Sequence, residues 1–445
     1  MFDADPIAAV ASAPGTGAVA LIRVSGSDLH AIAARLFSRS LPAPRLATLR
    51  QIRDAAGQPL DQILLTYFPK PHSYTGEEVL EIACHGGTLI TRQVLDAILH
   101  AGARSAGPGE FTQRAFLNGK MDLTQAEAVM DVITAQTTLA LRAAHTQLTG
   151  RLGHTITALR DTLLSILAHL EAYIDFPEEN IDPETGATLR ARIATVQTQL
   201  ANLLATADQG RILRHGASVV LCGPPNAGKS TLLNLLLGFE RAIVTPTPGT
   251  TRDTIEETIN LHGLPVRLTD TAGIRPTTDP IEQHGITRSL AALTEADLIL
   301  EIVDASQPPA DRIPIPETAT PHRLLLLNKA DLGLHQAWSQ TPGLPLSCHT
   351  TAGLPELTAQ LHTLLTGQTT PLGPDHIAIN ARHQACLLHA QTSLHQALQA
   401  ADDHQSAEFI ALEIRAAMDT LGDIVGNLDT EDLLGKIFSQ FCIGK

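Results

Sequence analysis

The residues Gly223-Pro224-Pro225-Asn226-Ala227-Gly228-Lys229-Ser230 follow the spacing G-x-x-x-x-G-K-S. Glycine at two points lets the backbone curl so that successive N–H groups face an anion. Lys229 can then reach the β- and γ-phosphates of a nucleotide, and the Ser230 hydroxyl can ligate Mg²⁺. Further on, Asp270-Thr271-Ala272-Gly273 offers a carboxylate that can hold the same Mg²⁺ through water. The Gly273 N–H can sense the γ-phosphate. Asn328-Lys329-Ala330-Asp331 adds a third element. Its Asp331 carboxylate can accept two hydrogen bonds from the edge of guanine, which adenine cannot offer. Three such elements in this order point to GTP rather than ATP.

Between the first two lies Thr245-Pro246-Thr247-Pro248-Gly249-Thr250-Thr251-Arg252-Asp253, which reads as a Thr-rich, Gly/Pro-punctuated loop before a strand. One hydroxyl there should complete the Mg²⁺ shell, with Thr251 the first candidate and Thr250 the second. After Asp270-Thr271-Ala272-Gly273 stands Ile274, where Ras-type GTPases place a water-orienting glutamine. An apolar side chain cannot align water, so another group must. Glu282 and Glu295 are the nearby acids, and Glu282 is the closer to that loop. A solvated helix charge is the competing reading of Glu282.

Several elements must position these groups. The run Ala217–Cys222 reads as a buried strand, Lys229–Leu237 as a helix, and Leu264–Thr269 and Arg323–Leu327 as further strands. Residues 213–376 therefore alternate strand and helix, which implies an α/β domain with a mainly parallel sheet. Residues 1–118 read as α+β, with strands at Ile7–Ala13, Ala18–Val24, Ile63–Phe68 and Val79–Ala83 and helices at Leu29–Phe37 and Thr88–His100. Polar clusters at Arg23–Gly26, Tyr74–Glu78 and His85–Gly87 fall at strand ends as candidate pocket edges. Residues 119–212 turn helical. Thr124 to Glu127 fits a capping box opening a long helix through Leu139, and helices follow from Leu152 to Ile174 and from Glu184 towards Ala207. Residues 377–445 are helical again, at Ala381–Ala400, Ala407–Leu421 and near Thr430–Ser439. The economical topology inserts the nucleotide domain into a helical one, with linkers at 210–216 and 369–374.

The chain has 445 residues and a formal net charge of −15. A strongly acidic chain does not hold RNA well unaided, so any RNA substrate needs a partner or a local basic face. Aromatic residues make up 3%, too few for rows of stacked bases. The five cysteines are Cys84, Cys222, Cys348, Cys386 and Cys442, widely spaced and without C-x-x-C, as in a reduced thiol set. An acidic N-terminus and no apolar run of spanning length lead to the expectation of a cytoplasmic protein without stable membrane association.

Over its whole length the chain resembles the MnmE (TrmE) family of tRNA-modification GTPases. The carrying segments are Arg23 with Ser25-Gly26, Tyr74-Thr75-Gly76-Glu77, Cys84-His85-Gly86-Gly87, Pro108-Gly109-Glu110-Phe111-Thr112 and Ala115-Phe116-Leu117-Asn118-Gly119-Lys120. With them go the nucleotide motifs above and the terminal Phe441-Cys442-Ile443-Gly444-Lys445.

The resemblance implies a homodimer that pairs with the FAD-dependent protein MnmG (GidA) as a heterotetramer. Together they would install a carboxymethylaminomethyl or aminomethyl group at C5 of the wobble uridine (U34) of certain tRNAs. The one-carbon unit would come from 5,10-methylene- or 5-formyl-tetrahydrofolate. Residues 1–118 become the dimerisation and folate-binding domain, with Arg23, Glu81, Lys120 and Lys445 matching folate contacts. Cys442 becomes a candidate thiol near that site, an inert tail cysteine being the competing reading.

The resemblance further implies a K⁺-activated GTPase without an arginine finger. Asn226, Thr245, Thr247 and Thr250 match the K⁺ positions, and Glu282 the water-orienting acid. The implied nucleotide contacts are Asn226, Ala227, Gly228, Lys229, Ser230 and Thr231, then Thr245, Pro246, Thr247, Pro248, Gly249, Thr250 and Thr251. They continue with Asp270, Thr271, Ala272 and Gly273, then Asn328, Lys329, Ala330 and Asp331, then the base loop Ser347, Cys348 and His349. That last loop departs from the usual Ser-Ala-Arg or Ser-Ala-Lys, which weakens or removes a stacking cation. The alternative is a regulatory GTPase of ribosome assembly, against which stands the small number of basic residues in the C-terminal segment.

Overall fold

The computed structural model describes residues 5–37, 39–176, 187–239, 256–270, 291–309, 322–367, 377–426 and 431–445. They gather into two compact units, one of residues 1–130, 148–186 and 392–445 and the other of residues 131–147 and 187–391.

The first unit holds a six-stranded sheet ordered β3-β4-β5-β2-β1-β6. Its strands are β1 (Ile7–Val10), β2 (Val19–Gly26), β3 (Thr48–Arg53), β4 (Pro59–Phe68), β5 (Glu78–His85) and β6 (Arg104–Ser105). All neighbours are antiparallel except β1 and β6. Strand alternation sends Ile22, Val24, Leu65, Leu80 and Ile82 to one face. There they meet Ile32 and Leu36 of α1 (Leu29–Phe37) and Val94 and Ile98 of α2 (Thr88–His100) in one buried core.

Strand β3 escapes a hydrophobic-run reading because Ile52 is its one buried residue. It is held by antiparallel pairing with β4, and in the turn that joins the two Asp54 Oδ1 accepts from Ala56 N at 2.9 Å and Gln58 N at 2.8 Å. The α3 helix (Glu110–Leu117) was not legible either. It opens at Gly109 in the left-handed region and buries Phe111 and Ala115.

The capping box at Thr124 is corrected. Helix α4 (Leu123–Thr134) is capped two residues earlier: Asp122 Oδ1 accepts from Gln125 N at 2.9 Å, and Gln125 Oε1 accepts from Asp122 N at 3.0 Å. This is the reciprocal pattern of a capping box, built on Asp and Gln. Nor does one helix run through Leu139. Thr137 starts α5 (Thr138–Leu148) by accepting the Ala140 N–H on its hydroxyl at 3.2 Å, and a competing cap of this kind ends the preceding pattern.

Helix α6 (Arg151–Asp175) ends at Phe176, just before Pro177, as proline chemistry requires. Its stripe Leu159, Leu163, Ile166 and Leu170 is buried and packs against α12 (Ala407–Val425), whose Ile410, Ile414, Ala417 and Leu421 are buried in turn. Arg160 Nε donates to Met418 O at 3.2 Å across that seam. The chain ends in α13 (Glu431–Ser439) and a short tail.

The second unit holds the other six-stranded sheet, ordered β12-β11-β10-β7-β9-β8. The strands are β7 (Ala217–Cys222), β8 (Glu256–Leu261), β9 (Leu264–Asp270), β10 (Leu298–Asp304), β11 (Arg323–Asn328) and β12 (Leu344–Pro345). Every neighbouring pair is parallel except β8 with β9. Buried on both faces, β10 reads Leu-Ile-Leu-Glu-Ile-Val almost without a polar break. Helices α9 (Lys229–Phe239) and α10 (Leu354–Thr366) share one core with the sheet. The unit also holds α7 (Ala187–Leu204) and the start of α11 (Ala381–Asp402).

The linker expected at 210–216 is instead a helix, α8 (Ala207–His215). Gly210, the first residue of that expected linker, serves close packing. A Cβ there would stand 2.6 Å from Ile379 O, so only glycine lets that backbone pass. The linker expected at 369–374 lies outside the described residues. Among the described residues no helix is long and apolar enough to cross a membrane.

Candidate nucleotide site

The loop between β7 and α9 is shaped by backbone that only glycine tolerates. Gly223 has φ 150°, and a Cβ there would stand 2.1 Å from Ile302 O of the neighbouring strand. Gly228 has φ 106°, and its Cβ would stand 2.3 Å from Asn328 Nδ2. The loop thus lies against the ends of β10 and β11, and its N–H groups gather at the N-terminus of α9, the positive end of the helix dipole.

Lys229 is drawn into this loop. Its ammonium donates to Gly223 O at 2.8 Å and Pro224 O at 3.1 Å, and the residue is 9% exposed. Burial lowers its pKa, while Asp270 and the Cys222 thiol pull the other way. A cation held here, beside the N-terminus of a helix, is a seat for phosphate.

Ser230 Oγ donates to Asp270 Oδ2 at 3.1 Å, so the first turn of α9 and the end of β9 converge. Asp270 Oδ1 is buried and has no hydrogen-bond partner among the described residues. An orphaned carboxylate oxygen beside a hydroxyl is hard-oxygen chemistry of the kind Mg²⁺ takes. The residues present fit that ion.

The other end of the site is built at the tips of β10, β11 and β12. Asn328, 2% exposed, donates from Nδ2 to Ala227 O at 2.7 Å and accepts on Oδ1 from Cys348 N at 3.1 Å. One carboxamide therefore ties the phosphate loop to the base loop. Lys329 takes φ 62° and Ala330 N donates to Leu346 O at 3.0 Å, which turns the chain so that Asp331 stands exposed. Ser347, 1% exposed, closes its own turn: its N donates to Ala352 O at 2.9 Å and its Oγ accepts from Thr350 N at 3.1 Å. Burial pushes the Cys348 thiol up to about 11; Asn328 opposes the shift and Asp331 adds to it, so the thiol is a neutral wall.

A cavity of about 800 Å³ joins the two ends. Its lining includes Asn226, Gly228, Lys229, Ser230, Thr231, Asn328, Lys329, Asp331, Cys348 and His349 from the expected set, and Leu332 beyond it. Ala227, Ala330, Ser347 and Asp270 do not line it. The first three support it through the bonds above, and Asp270 reaches it through Ser230. Glu295, the second candidate acid, is exposed and does not line the cavity.

Sequence reasoning missed Asp304. It ends β10 as Asp270 ends β9, and an acid closing an apolar strand run was the signal available. The expected Thr245, Pro246, Thr247, Pro248, Gly249, Thr250, Thr251, Thr271, Ala272, Gly273 and Glu282 lie outside the described residues, as does Ile274.

In the first unit, β2 and β5 pair Arg23 with Glu81 in register, and the guanidinium reaches Glu81 Oε1 from Nη2 at 2.8 Å and from Nε at 3.2 Å. Arg23 also stacks over Tyr74, 5.1 Å from the ring centroid, and Phe111, 5.9 Å. Glu81 is thus tied to Arg23 rather than to its neighbours.

Behind them, Ser25 donates to Glu77 Oε2 at 2.7 Å, and Arg114 bridges Glu77 (3.1 Å) to Glu110 (2.9 Å). Burial raises the Glu110 pKa, but Arg104, the Gly107 N–H and Arg114 outweigh it and hold the carboxyl at about 2. Lys120 donates to Pro71 O at 3.1 Å, and its stem runs beside Gly76, where a Cβ would stand 3.3 Å from Lys120 Cγ.

The C-terminal tail returns to β1. Pro108 and Ile443 form a bridge, Gly109 N donates to Cys442 O at 3.4 Å, and a Cβ on Gly444 would stand 2.3 Å from Val10 O. Ala9 of that strand pairs with Arg23, so the segment ending in Lys445 lies one strand from the Arg23–Glu81 pair. Cys442 is exposed.

Two family descriptions match this chain: the MnmE helical domain over residues 123–442, and the GTP-binding protein TrmE N-terminus over residues 6–120. The chain is 51% identical to a tRNA modification GTPase MnmE from Akkermansia muciniphila, over 99% of this chain and 98% of that one. It is 46% identical to the protein of the same name from Chloroflexus aurantiacus, over 99% of this chain and 100% of the other. With that of Roseiflexus castenholzii it shares 42% identity over the full length of both.

Proposed function

This chain belongs to the MnmE family of tRNA modification GTPases, and we propose that it couples GTP hydrolysis to a change at C5 of the wobble uridine (U34) of certain tRNAs. The group added is of the carboxymethylaminomethyl or aminomethyl type. The observation that carries the nucleotide half is the single cavity holding Lys229 and Ser230 at one end and Asp331 at the other. Family membership favours this reading over ribosome assembly.

GTP is seated with its phosphates on the Gly223–Ser230 loop and Lys229, and with its base between Lys329, Asp331 and the Ser347–His349 loop. Ser230 and Thr251, with Asp270, would hold Mg²⁺, and Asn226, Thr245, Thr247 and Thr250 would hold K⁺; the bound cations would offset charge on the phosphates, the task an arginine finger performs elsewhere. Glu282 orients the attacking water in place of Ile274. Asn328 keeps the phosphate and base loops in one geometry, so binding at one end presets the other.

In residues 1–118 the Arg23–Glu81 pair, with Lys120 and Lys445, receives a tetrahydrofolate. The donor set fits such a molecule: a carboxylate can accept from a pterin edge, and cations suit its glutamate tail. When bound, the folate supplies the one-carbon unit, and Cys442 lies in the same tail. The protein works as a homodimer with the flavoprotein MnmG in the cytoplasm. The four-part organisation into residues 1–118, 119–212, 213–376 and 377–445 belongs to this proposal.

The test is nucleoside mass spectrometry of tRNA from cells lacking this chain, with and without complementation. The C5-modified wobble uridine should fall on deletion and return on complementation. Unchanged uridine would reject the proposal.

A further inference from the structure

We propose that Asp304 is a positioning residue for guanine nucleotide: its carboxylate fixes the Lys329 ammonium, so that the Lys329 stem stands as a preformed wall at the base end of the cavity. The inference rests on reading that end as the guanine seat. None of the nucleotide motifs contains Asp304.

The placement follows from the sheet. β10 and β11 run parallel with Asp304 beside Asn328, and Ala305 N donates to Asn328 O at 2.9 Å, locking the two strand ends. The Asp304 carboxylate is itself fixed. Its Oδ1 accepts from Ser306 Oγ at 2.6 Å and Ser306 N at 3.1 Å, which leaves Oδ2 aimed at Lys329 Nζ, 2.6 Å away. Burial raises the Asp304 pKa, but Lys329 and the Ser306 hydroxyl and N–H outweigh it, so the carboxylate stays ionised. Lys329 lines the cavity and Asp304 does not, so Asp304 acts through Lys329.

The physical gain is preorganisation. A lysine stem has many rotamers, and a ring settling against it must freeze them. With the ammonium already anchored, that ordering happens on folding rather than on binding. Removing the anchor should weaken binding on the order of tenfold. The loss is uniform across ground and transition states, so kcat stays put while KM rises. Because the stem meets the face of the base, the loss should not depend on groups along its edge.

The test compares GTP, GDP and inosine triphosphate by calorimetry on the full-length Asp304→Asn protein with Mg²⁺, together with steady-state GTP hydrolysis. We expect about tenfold weaker binding of all three nucleotides by the same factor, with kcat within about twofold of wild type. Asp304→Glu should recover most of the affinity. In a double-mutant cycle, Asp304→Asn should add little once Lys329→Met is present.

Unchanged affinity, a fall in kcat with affinity intact, additive effects, or a larger loss for GTP than for the inosine nucleotide would each overturn the proposal. If Asp304→Asn does not fold, Lys329→Met carries the test: it must weaken all three nucleotides alike, and unaltered binding refutes the idea. Asp331→Ala serves as the separate control. If it leaves GTP affinity untouched, the guanine seat has been misplaced, and that failure is distinct from one at Asp304.

Discussion

Replacing Asn328 with alanine should uncouple the two ends of the nucleotide site. The side chain is 2% exposed and makes two bonds, to Ala227 O at 2.7 Å and from Cys348 N at 3.1 Å. Truncation leaves a buried carbonyl and a half-buried N–H without their partner. Each such group costs about 1–3 kcal/mol, so the pair should cost about 2–6 kcal/mol in stability. At about 2–4 °C per kcal/mol for a unit of roughly 150–250 residues, that is a fall in Tm of roughly 4–24 °C. GTP affinity should fall too, since the phosphate and base loops no longer hold one geometry.

Asn328→Asp separates the two bonds. It keeps an acceptor for Cys348 N but sets a carboxylate oxygen against Ala227 O, so it should be at least as damaging as alanine. Differential scanning calorimetry and GTP titration read both effects. A mild Asn328→Asp would mean that the Ala227 bond contributes little. Wild-type stability and affinity in Asn328→Ala would refute the coupling argument outright.

Three further outcomes are expected. The Glu110 carboxyl titrates at about 2 against an ordinary 4.5, so its ion pairs contribute up to about 3 kcal/mol of stability above pH 4.5. That contribution should drain away as pH falls towards about 2, with Glu110→Gln flattening the acid limb of a circular-dichroism melt series; an identical limb would remove the cluster from the account. Glu282→Ala should bind GTP normally and lose kcat, a loss confined to the transition state, and an unchanged kcat in a phosphate-release assay would strip Glu282 of a catalytic role. Replacing Na⁺ with K⁺ should raise turnover strongly, and equal rates in the two salts would remove the cation from the proposed function.

The phosphate loop was readable because glycine at Gly223 and Gly228 answers a local demand: each would clash through a Cβ with a neighbouring strand end. Helices α2 and α6 were readable from apolar spacing and, for α6, from the proline after Phe176. Other features depended on partners distant in sequence. Gly210 fell in an expected linker but accommodates the Ile379 backbone, and Thr124 looked like a cap although Asp122 sits closer to the helix start. Strand β3, with one buried residue, is defined by pairing with β4 rather than by its own pattern. The Arg104–Glu110–Arg114–Glu77 chain joins residues whose charges look like solvated surface in a linear reading.

The most direct test of the account is calorimetric titration of the purified full-length protein with GTP, GDP and ATP in the presence of Mg²⁺. The cavity between Lys229 and Asp331 predicts saturable binding of both guanine nucleotides, little or no heat with ATP, and loss of the guanine preference in Asp331→Ala. Equal or tighter binding of ATP, or no response to guanine nucleotides, would contradict it.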